Sequence, residues 1–460
     1  MARTSEHDIP AIGVEARNIA LRLRDAGHGA FLVGGCVRDM LLGRVPGDFD
    51  VATSATPDRI LALFPRAQPV GAHFGVMLVG EVEVATFRSD HDYRDGRHPD
   101  HVHFETDPRQ DALRRDFTIN ALFLDPASGR VLDFVDGRRD LDLGVIRAVG
   151  DAASRFAEDH LRMLRAIRFA ARLGFSIDEQ AAAAIGRLAP RIHAISAERI
   201  RDEIARILTE GHARRGFELL DETGLLAEIL PEVAAMKGVE QPPEFHPEGD
   251  VWIHTRMMLQ AMAGEGTPPP SLTLALGILL HDVAKPPTFR VADRIRFDGH
   301  AELGARMARA ILERLRFSNA TVDRVEALVA HHMRFKDAPR MRESTLKRFL
   351  RMDGFDEHLE LHRIDCGASH GNLDNYEFVR AKLAALPVEQ LKPPRLLTGD
   401  DLIAMGLAPG PAFKQILEDV ETAQLEDRIA TREDAIRFVE QRFSAPIART
   451  SPQIPQGAEP

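Results

Sequence analysis

The sequence predicts an α+β protein: a mixed α/β head with a small β-sheet over residues 1–150, followed by an all-α C-terminal two-thirds. Three observations support this. Short apolar runs alternate with helix-like stretches before residue 150, helical periodicity dominates after it, and glycine or proline marks the junctions. In the head, an opening helix from Ala11 to Ala26 precedes an apolar strand, Phe31 to Val33, that ends at Gly34 and Gly35. Val37 to Leu42 reads as a short helix, Asp48 to Ala52 as a second strand and Pro57 to Leu63 as another helix. Gly75 to Gly80 and Val82 to Phe87 read as paired strands. The polar tract from Arg88 to Asp100 has no apolar period and reads as a mobile loop, and His91, His98, His101 and His103 follow no usual ligand spacing. Strands near Val131 to Val135 and Val145 to Val149 close the head.

The helical remainder divides into a neck over 151–240, a histidine-bearing domain over 241–385, a tail over 386–443 and a disordered end over 444–460. With 460 residues and 44% hydrophobic content, the chain can bury more than one core. A formal charge of −11 argues against general affinity for polyphosphate, so RNA would have to meet local basic surface. Two cysteines, Cys36 and Cys366, and no N-terminal apolar run point to a reducing cytoplasm. Leu272 to Leu280 stops at His281 and Asp282, too short to cross a bilayer.

The chemistry starts at Gly34 and Gly35, whose bare backbone allows close approach to a triphosphate. Period-two alternation from Asp48 to Ala52 sends Asp48 and Asp50 to one face and Phe49 to the other. Two adjacent carboxylates repel unless a cation lies between them, and Mg²⁺ shared with substrate phosphates suits that need. The pattern therefore suits metal-dependent nucleotidyl transfer. A second region, Glu158 to Gly174, reads as one helix on which Asp159, Arg162, Arg165, Arg168 and Arg172 share a charged stripe. Leu161, Leu164, Ile167 and Phe169 form the opposite, core-facing side. An isolated stripe of this kind is ordinarily solvated. An Asp/Arg pair can, however, accept from an exocyclic amine and donate to a ring nitrogen, the edge shared by cytosine and adenine. Uracil and guanine present the reverse pattern and would leave buried polar groups unpaired at roughly 1–3 kcal/mol each.

In the neck, Ser196 is a candidate cap for the following helix, and Arg199, Arg201, Arg206, Arg214 and Arg215 are candidates for phosphate contact or for a solvated surface. The third region is a series of histidines and aspartates: His254, His281, Asp282, His300, His331, His332 and Asp365. An apolar helix ending at His281 and Asp282 would bury that pair, and buried charge requires a partner or a metal. Imidazole with carboxylate suits Mn²⁺, Fe²⁺ or Ni²⁺.

These residues resemble the class II tRNA nucleotidyltransferase and bacterial poly(A) polymerase group over roughly the first 230 residues. The resemblance rests on Gly34 to Asp39, Asp48 with Asp50, Arg114 to Asn120, and Glu158, Asp159, Arg162 and Arg165. It implies that Asp48 and Asp50 carry Mg²⁺, that Gly34, Gly35 and Arg38 meet the triphosphate, and that Arg115 and Asp116 lie near the ribose and phosphates. It further implies that Asp159 and Arg162 read the base, and that Arg165 and Arg168 add nucleotide contacts. The loop from Arg88 to Asp107 would be the flexible element used in changing from C to A addition. The acceptor would be the 3′ end of tRNA and the substrates CTP and ATP. A poly(A) polymerase or A-only enzyme shares the same motifs. The histidine series resembles the HD phosphohydrolase superfamily, which implies His254, His281, Asp282 and Asp365 as ligands, with His300 and either His331 or His332 at a second position. Such domains are associated with phosphatase or phosphodiesterase action on RNA 3′ ends, which makes an HD phosphohydrolase the second alternative. The tail segment around Leu397 to Pro411, with the helix from Ala412 to Leu425, resembles the group's small C-terminal element.

Overall fold

The computed structural model describes residues 11–71, 74–91, 101–262 and 269–443. His98 and the segment from Ser444 onward lie outside them. The chain forms two compact units, Met1–Val329 and Ala330–Pro460, and the division falls inside the histidine-bearing segment.

The head is built on a seven-stranded mixed sheet. In chain order its strands are β1 (Ala30–Val33), β2 (Asp50–Thr53), β3 (Gln68–Gly71), β4 (Val76–Val79), β5 (Val82–Thr86), β8 (Leu122–Leu124) and β9 (Val131–Asp133), while β6 (Arg88–His91) and β7 (His101–Phe104) pair separately. The sheet order is β3-β4-β5-β2-β1-β8-β9, and only the β2–β5 pair is parallel. Antiparallel pairing of β1 with β2 sets Val33, the last residue before the glycine turn, opposite Asp50. Parallel pairing with β5 sets Glu83 on the other side of Asp50. Behind the sheet, Val33, Ala52, Phe87, Ala112, Ala121, Phe123 and Val149 form a core cluster. Phe31, Phe87 and Phe123 pack with ring centroids 6.1–6.3 Å apart, favourable aromatic spacing.

Several expectations shift in detail. Strand β2 begins at Asp50, so Asp48 and Phe49 lie in the approach to it, although Phe49 is buried and Asp48 exposed as alternation requires. Arg88–His91, at the start of the tract read as a loop, pairs antiparallel with His101–Phe104 as β6 with β7, in a register running from Arg88↔Phe104 to His91↔His101, while residues 92–100 of that tract lie outside the described residues. Backbone pairing can join two strands without the apolar period that a sequence reading depends on. Val145–Ile146 leaves the main sheet and pairs in parallel with Ser176–Ile177.

The neck contains the helices Ala152–Glu158, Leu161–Leu173, Ala197–Thr209 and Ala213–Glu222. Glu158 to Gly174 is therefore not one helix: Asp159 adopts an extended conformation and its carboxylate accepts from Leu161 N–H at 3.0 Å. This local side-chain hydrogen bond competes with helix continuation. Gly174 ends the second helix in a left-handed conformation. Gly216 allows close helix packing, because a Cβ there would lie 2.4 Å from Ile207 Cγ2. Ser196 occupies the N-cap position of Ala197–Thr209 without a side-chain hydrogen bond. Further along, Asp250 caps Val251–Ala261 through Ile253 N–H, and the apolar helix Leu272–Leu280 ends at His281 as expected.

The second unit contains helices Glu343–Leu350, Phe355–Ala368, Asp374–Ala385 and Ala412–Leu425. One core gathers Phe335, Phe349, Leu350, Phe355 and Val379, and another gathers Leu402, Ile416, Val420, Ala435 and Val439. Among the described residues, no helix is long and apolar enough to cross a membrane.

Candidate active site and metal centre

The glycine turn and the head carboxylates meet where β1 ends and β2 begins. Gly34 has φ +75°, and a Cβ there would come within 3.4 Å of Arg115 Nη1 and 3.7 Å of Asp50 Oδ2. Any larger residue would carry backbone strain and crowd the guanidinium and the carboxylate. Gly35 opens the short helix Gly35–Leu41. Burial, then the charges of Asp48 and Glu83, push Asp50 up to about 6 against the opposing pull of Arg115. Glu83 went unnoticed in the sequence. The alternation of β5, with Val82, Val84 and Thr86 buried and Glu83 exposed, is the signal that could have found it.

Arg38 is buried and donates to Asp39 at 2.8 Å and to Asn120 Oδ1 at 2.7 Å. Arg115 pairs with Asp111 at 2.9 Å and donates to the Asn120 carbonyl at 3.2 Å. Burial raises the Asp111 carboxyl, but the adjoining Arg115 and Arg114 outweigh it and hold the group below the usual range. Asp116 is likewise held low, with burial opposed first by Arg165 and then by Arg162.

The neck joins this cluster through its arginines. Arg155 donates to the Leu113 carbonyl at 2.7 Å, and Arg165 Nε donates to Asp116 Oδ2 at 2.9 Å. Arg162 donates to Glu158 at 2.5 Å and to the Arg155 carbonyl at 3.0 Å. Asp159 pairs with Arg199 at 2.8 Å, so Asp159 and Arg162 each have their own aligning partner. Arg199 thus braces Asp159, a role that its place in a run of basic residues does not reveal. Arg201 pairs with Asp202, Arg214 with Glu218 and Arg215 with Glu222.

The expected helical stripe is only partly exposed. Arg168 is 4% exposed and bonded to Glu203 at 2.7 Å. Phe169 is not on an opposite, purely apolar face: the guanidiniums of Arg38, Arg165 and Arg168 lie 5.2, 5.3 and 4.4 Å from its ring centroid. Stacking on the ring face lets one aromatic side chain order three cations.

In the histidine-bearing segment of the first unit, His254, His281 and Asp282 are buried, and one ligand atom from each lies within 4.8 Å of the others. His246, Glu248 and His254 form an overlapping group by the same measure. Lys285 Nζ lies 2.7 Å from Asp282 and donates to Gln241 Oε1 at 2.5 Å. Burial raises Asp282, but the charges of His281, Lys285 and His300 hold it well below the usual range. His300 lies 3.7 Å from the other Asp282 oxygen. Two imidazoles and an ionised carboxylate fit a divalent transition cation. Asp365 lies on Phe355–Ala368 of the second unit, partly buried and beside Cys366. In that unit the His331 ring packs 6.1 Å from that of His358, and His332 is buried at the start of a 3₁₀ segment.

Comparison with known proteins finds three family models along the chain, the last of which spans the boundary between the two compact units. Residues 30–147 match the poly A polymerase head domain, 174–237 the probable RNA- and SrmB-binding site of polymerase A, and 250–361 the HD domain. A CCA-adding enzyme of Leuconostoc mesenteroides is 44% identical over 215 residues, 46% of this chain and 53% of that protein. One from Geobacillus stearothermophilus is 44% identical over 224 residues, 48% of this chain and 55% of that protein. The chain therefore spans about half the length of the curated relatives it matches. The crystal structure of a Bacillus stearothermophilus CCA-adding enzyme in complex with CTP superposes with a TM-score of 0.72 at 27% identity, covering 95% of this chain and 99% of that one. A Thermotoga maritima CCA-adding enzyme complexed with tRNA shares the fold at a TM-score of 0.57 and 18% identity, over 94% of this chain and 95% of that one. The chain thus matches a poly A polymerase head, the RNA-binding region of polymerase A and an HD domain, and over about half its length it is similar to CCA-adding enzymes at 40–44% identity.

Proposed function

We propose that this protein adds C, C and A to the 3′ end of tRNA from CTP and ATP, without a nucleic-acid template, in the cytoplasm. The observation that carries the reading is the continuity of the site. Asp50 faces Gly34 and Arg115, and Arg115 is followed in the chain by Asp116. Asp116 is bonded to Arg165 on the helix that also carries Arg162. Asp48 and Asp50, with Glu83 alongside, are the residues that would hold Mg²⁺, which supplies charge neutralisation for the attacking hydroxyl and the departing pyrophosphate. The raised proton affinity of Asp50, from burial first and then from Asp48 and Glu83, fits this assignment, because a cation relieves both a desolvated carboxylate and crowded anionic oxygens. The glycine turn admits the triphosphate, and Arg115 supplies fixed N–H donors beside it. Asp159 and Arg162, held by Arg199 and Glu158, present an acceptor and a donor suited to the amino and ring-nitrogen edge of cytosine or adenine.

The test is incorporation of single labelled nucleotides, with Mg²⁺, into tRNA transcripts ending before the tail, after one C and after both. CTP should be used on the first two and one ATP on the third. ATP addition alone, in long runs on any RNA, would assign the chain to the poly(A) side of the family.

The buried group of His254, His281 and Asp282 favours a second reading, a phosphohydrolase activity on RNA 3′ ends using Mn²⁺, Fe²⁺ or Ni²⁺. Hydrolysis of a generic phosphodiester that survives Asp50→Ala and disappears in His254→Ala would support it. A chain that binds no such metal and hydrolyses nothing would overturn it.

A further inference from the structure

We propose that Glu248 is a positioning residue of the HD-domain metal centre, fixing His254 so that its Nε2 is the atom offered to the cation. The proposal rests on reading His254, His281 and Asp282 as that centre.

Glu248 Oε1 lies 2.7 Å from His254 Nδ1 and 2.9 Å from His246 Nδ1, so one oxygen holds two imidazoles. The rings meet edge to face with centroids 5.0 Å apart. The Glu248 side chain is 4% exposed, and its other oxygen is buried without a hydrogen bond among the described residues. The two imidazoles, with the backbone N–H of Glu248 itself, hold the carboxylate in place. A carboxylate accepts and an imidazole N–H donates, so an anionic oxygen 2.7 Å from His254 Nδ1 favours the tautomer with its proton on that atom. The lone pair left to that ring is on Nε2, and His254 is also the residue grouped with His281 and Asp282. An anionic acceptor behind a ligating imidazole raises its basicity and restricts its rotation, both of which favour a bound cation.

The loop carrying Glu248 is anchored at both ends. His246 N–H donates to the Pro242 carbonyl at 3.0 Å, Gly238 N–H donates to Asp250 Oδ2 at 2.7 Å, and Val251 N–H donates to the Val239 carbonyl at 3.1 Å. Gly249, with φ +125°, turns the chain directly after Glu248 in a conformation that L side chains rarely adopt. The carboxylate is thus delivered by a fixed loop to the first turn of the helix that bears His254.

The experiment is a Mn²⁺ titration of the full chain, followed by the electron paramagnetic resonance of free Mn²⁺. Asp48→Ala and Asp50→Ala are included so that the head does not contribute. In that background Glu248→Gln should weaken Mn²⁺ binding roughly 10- to 100-fold. Affinity within twofold of the Glu248 chain would overturn the positioning role, whereas a Glu248 chain that binds no Mn²⁺ would overturn the metal reading itself. Metal-free chain labelled with ¹⁵N-histidine gives a readout independent of the variant's folding. At pH 8 the signal lost in His254→Ala should be that of the Nδ1-protonated tautomer. An Nε2-protonated His254 would overturn the proposal.

Discussion

The head-and-neck site and the histidine centre lie in the same compact unit, yet they compensate buried carboxylates with different bases. In the first, guanidiniums do the work: Asp111 faces Arg114 and Arg115, Asp116 faces Arg165, Asp159 faces Arg199 and Glu203 faces Arg168. In the second, Glu248 faces two imidazoles, and Asp282 faces two imidazoles and an ammonium. A guanidinium stays protonated and has no lone pair for a metal, so it can only donate. In the proposed function, the arginines would therefore serve as a permanent array of donors for phosphates and base edges, and would leave cation binding to Asp48, Asp50 and Glu83. A neutral imidazole has a lone pair, so the second site can itself be the ligand set.

That contrast breaks most directly at Asp50. Asp50→Ala should lower nucleotide incorporation on the order of 10³-fold, about 4 kcal/mol of transition-state stabilisation. Metal content at the histidine centre should stay unchanged, as read by bound Mn²⁺ in the same preparation. Incorporation that survived the substitution would move the principal chemistry out of the head and make the HD domain the main activity.

The guanidinium network makes a stability prediction of the next size. Asp111→Asn leaves Arg114 and Arg115 without their shared anion and should cost about 3 kcal/mol near pH 7, read from urea unfolding. The folded-state pKa of Asp111 is depressed, so its contribution is complete above the unfolded value of about 4 and fades as pH falls through the folded value. The gap between parent and variant should thus hold constant from pH 7 to 5 and narrow below about 4. A gap that widened on acidification would show that the pair does not stabilise the ionised form.

The local parts of both sites could be read from the sequence. Gly34 and Gly35 followed by Asp48 and Asp50 can be read because strand alternation is a nearest-neighbour property, and the apolar run from Leu272 to Leu280 announces the burial of His281 and Asp282. What could not be read depends on distant partners or on competition between local hydrogen bonds. Arg168 looks like a surface residue until Glu203, 35 positions away, meets it in the interior. The helix seems continuous through Asp159 because helix formers surround it, but the Asp159 carboxylate takes Leu161 N–H and breaks it there. Glu248 lies in a loop without periodicity, so nothing in its spacing distinguishes it from an exposed acid. Alternation within β5 marks Glu83 as the exposed residue among buried neighbours, but its place beside Asp50 comes from the parallel register of β2 and β5, which a single strand cannot supply.

The smallest expected effect concerns the choice of nucleotide. The Asp159 and Arg162 side chains are each held by a neighbour of opposite charge, with Arg199 on the carboxylate and Glu158 on the guanidinium. Bracing of this kind fixes the direction of one acceptor and one donor, and discrimination by a rigid site costs a mismatched base its unpaired buried groups, roughly 1–3 kcal/mol each. Replacing both residues by alanine should therefore lower the preference for CTP and ATP over UTP and GTP by roughly 5- to 150-fold. It should also slow the two correct nucleotides, as measured by competing single-nucleotide incorporations on one tRNA transcript. Replacing Arg199 by alanine should leave both readers in place and erode the same preference by less, because Asp159 keeps its acceptor oxygens but loses the fork that aims them. If the double variant kept the parental preference while Arg199→Ala lost it, the base would be read by Arg199 itself, and the Asp159–Arg199 pair would be a lock that the incoming nucleotide opens.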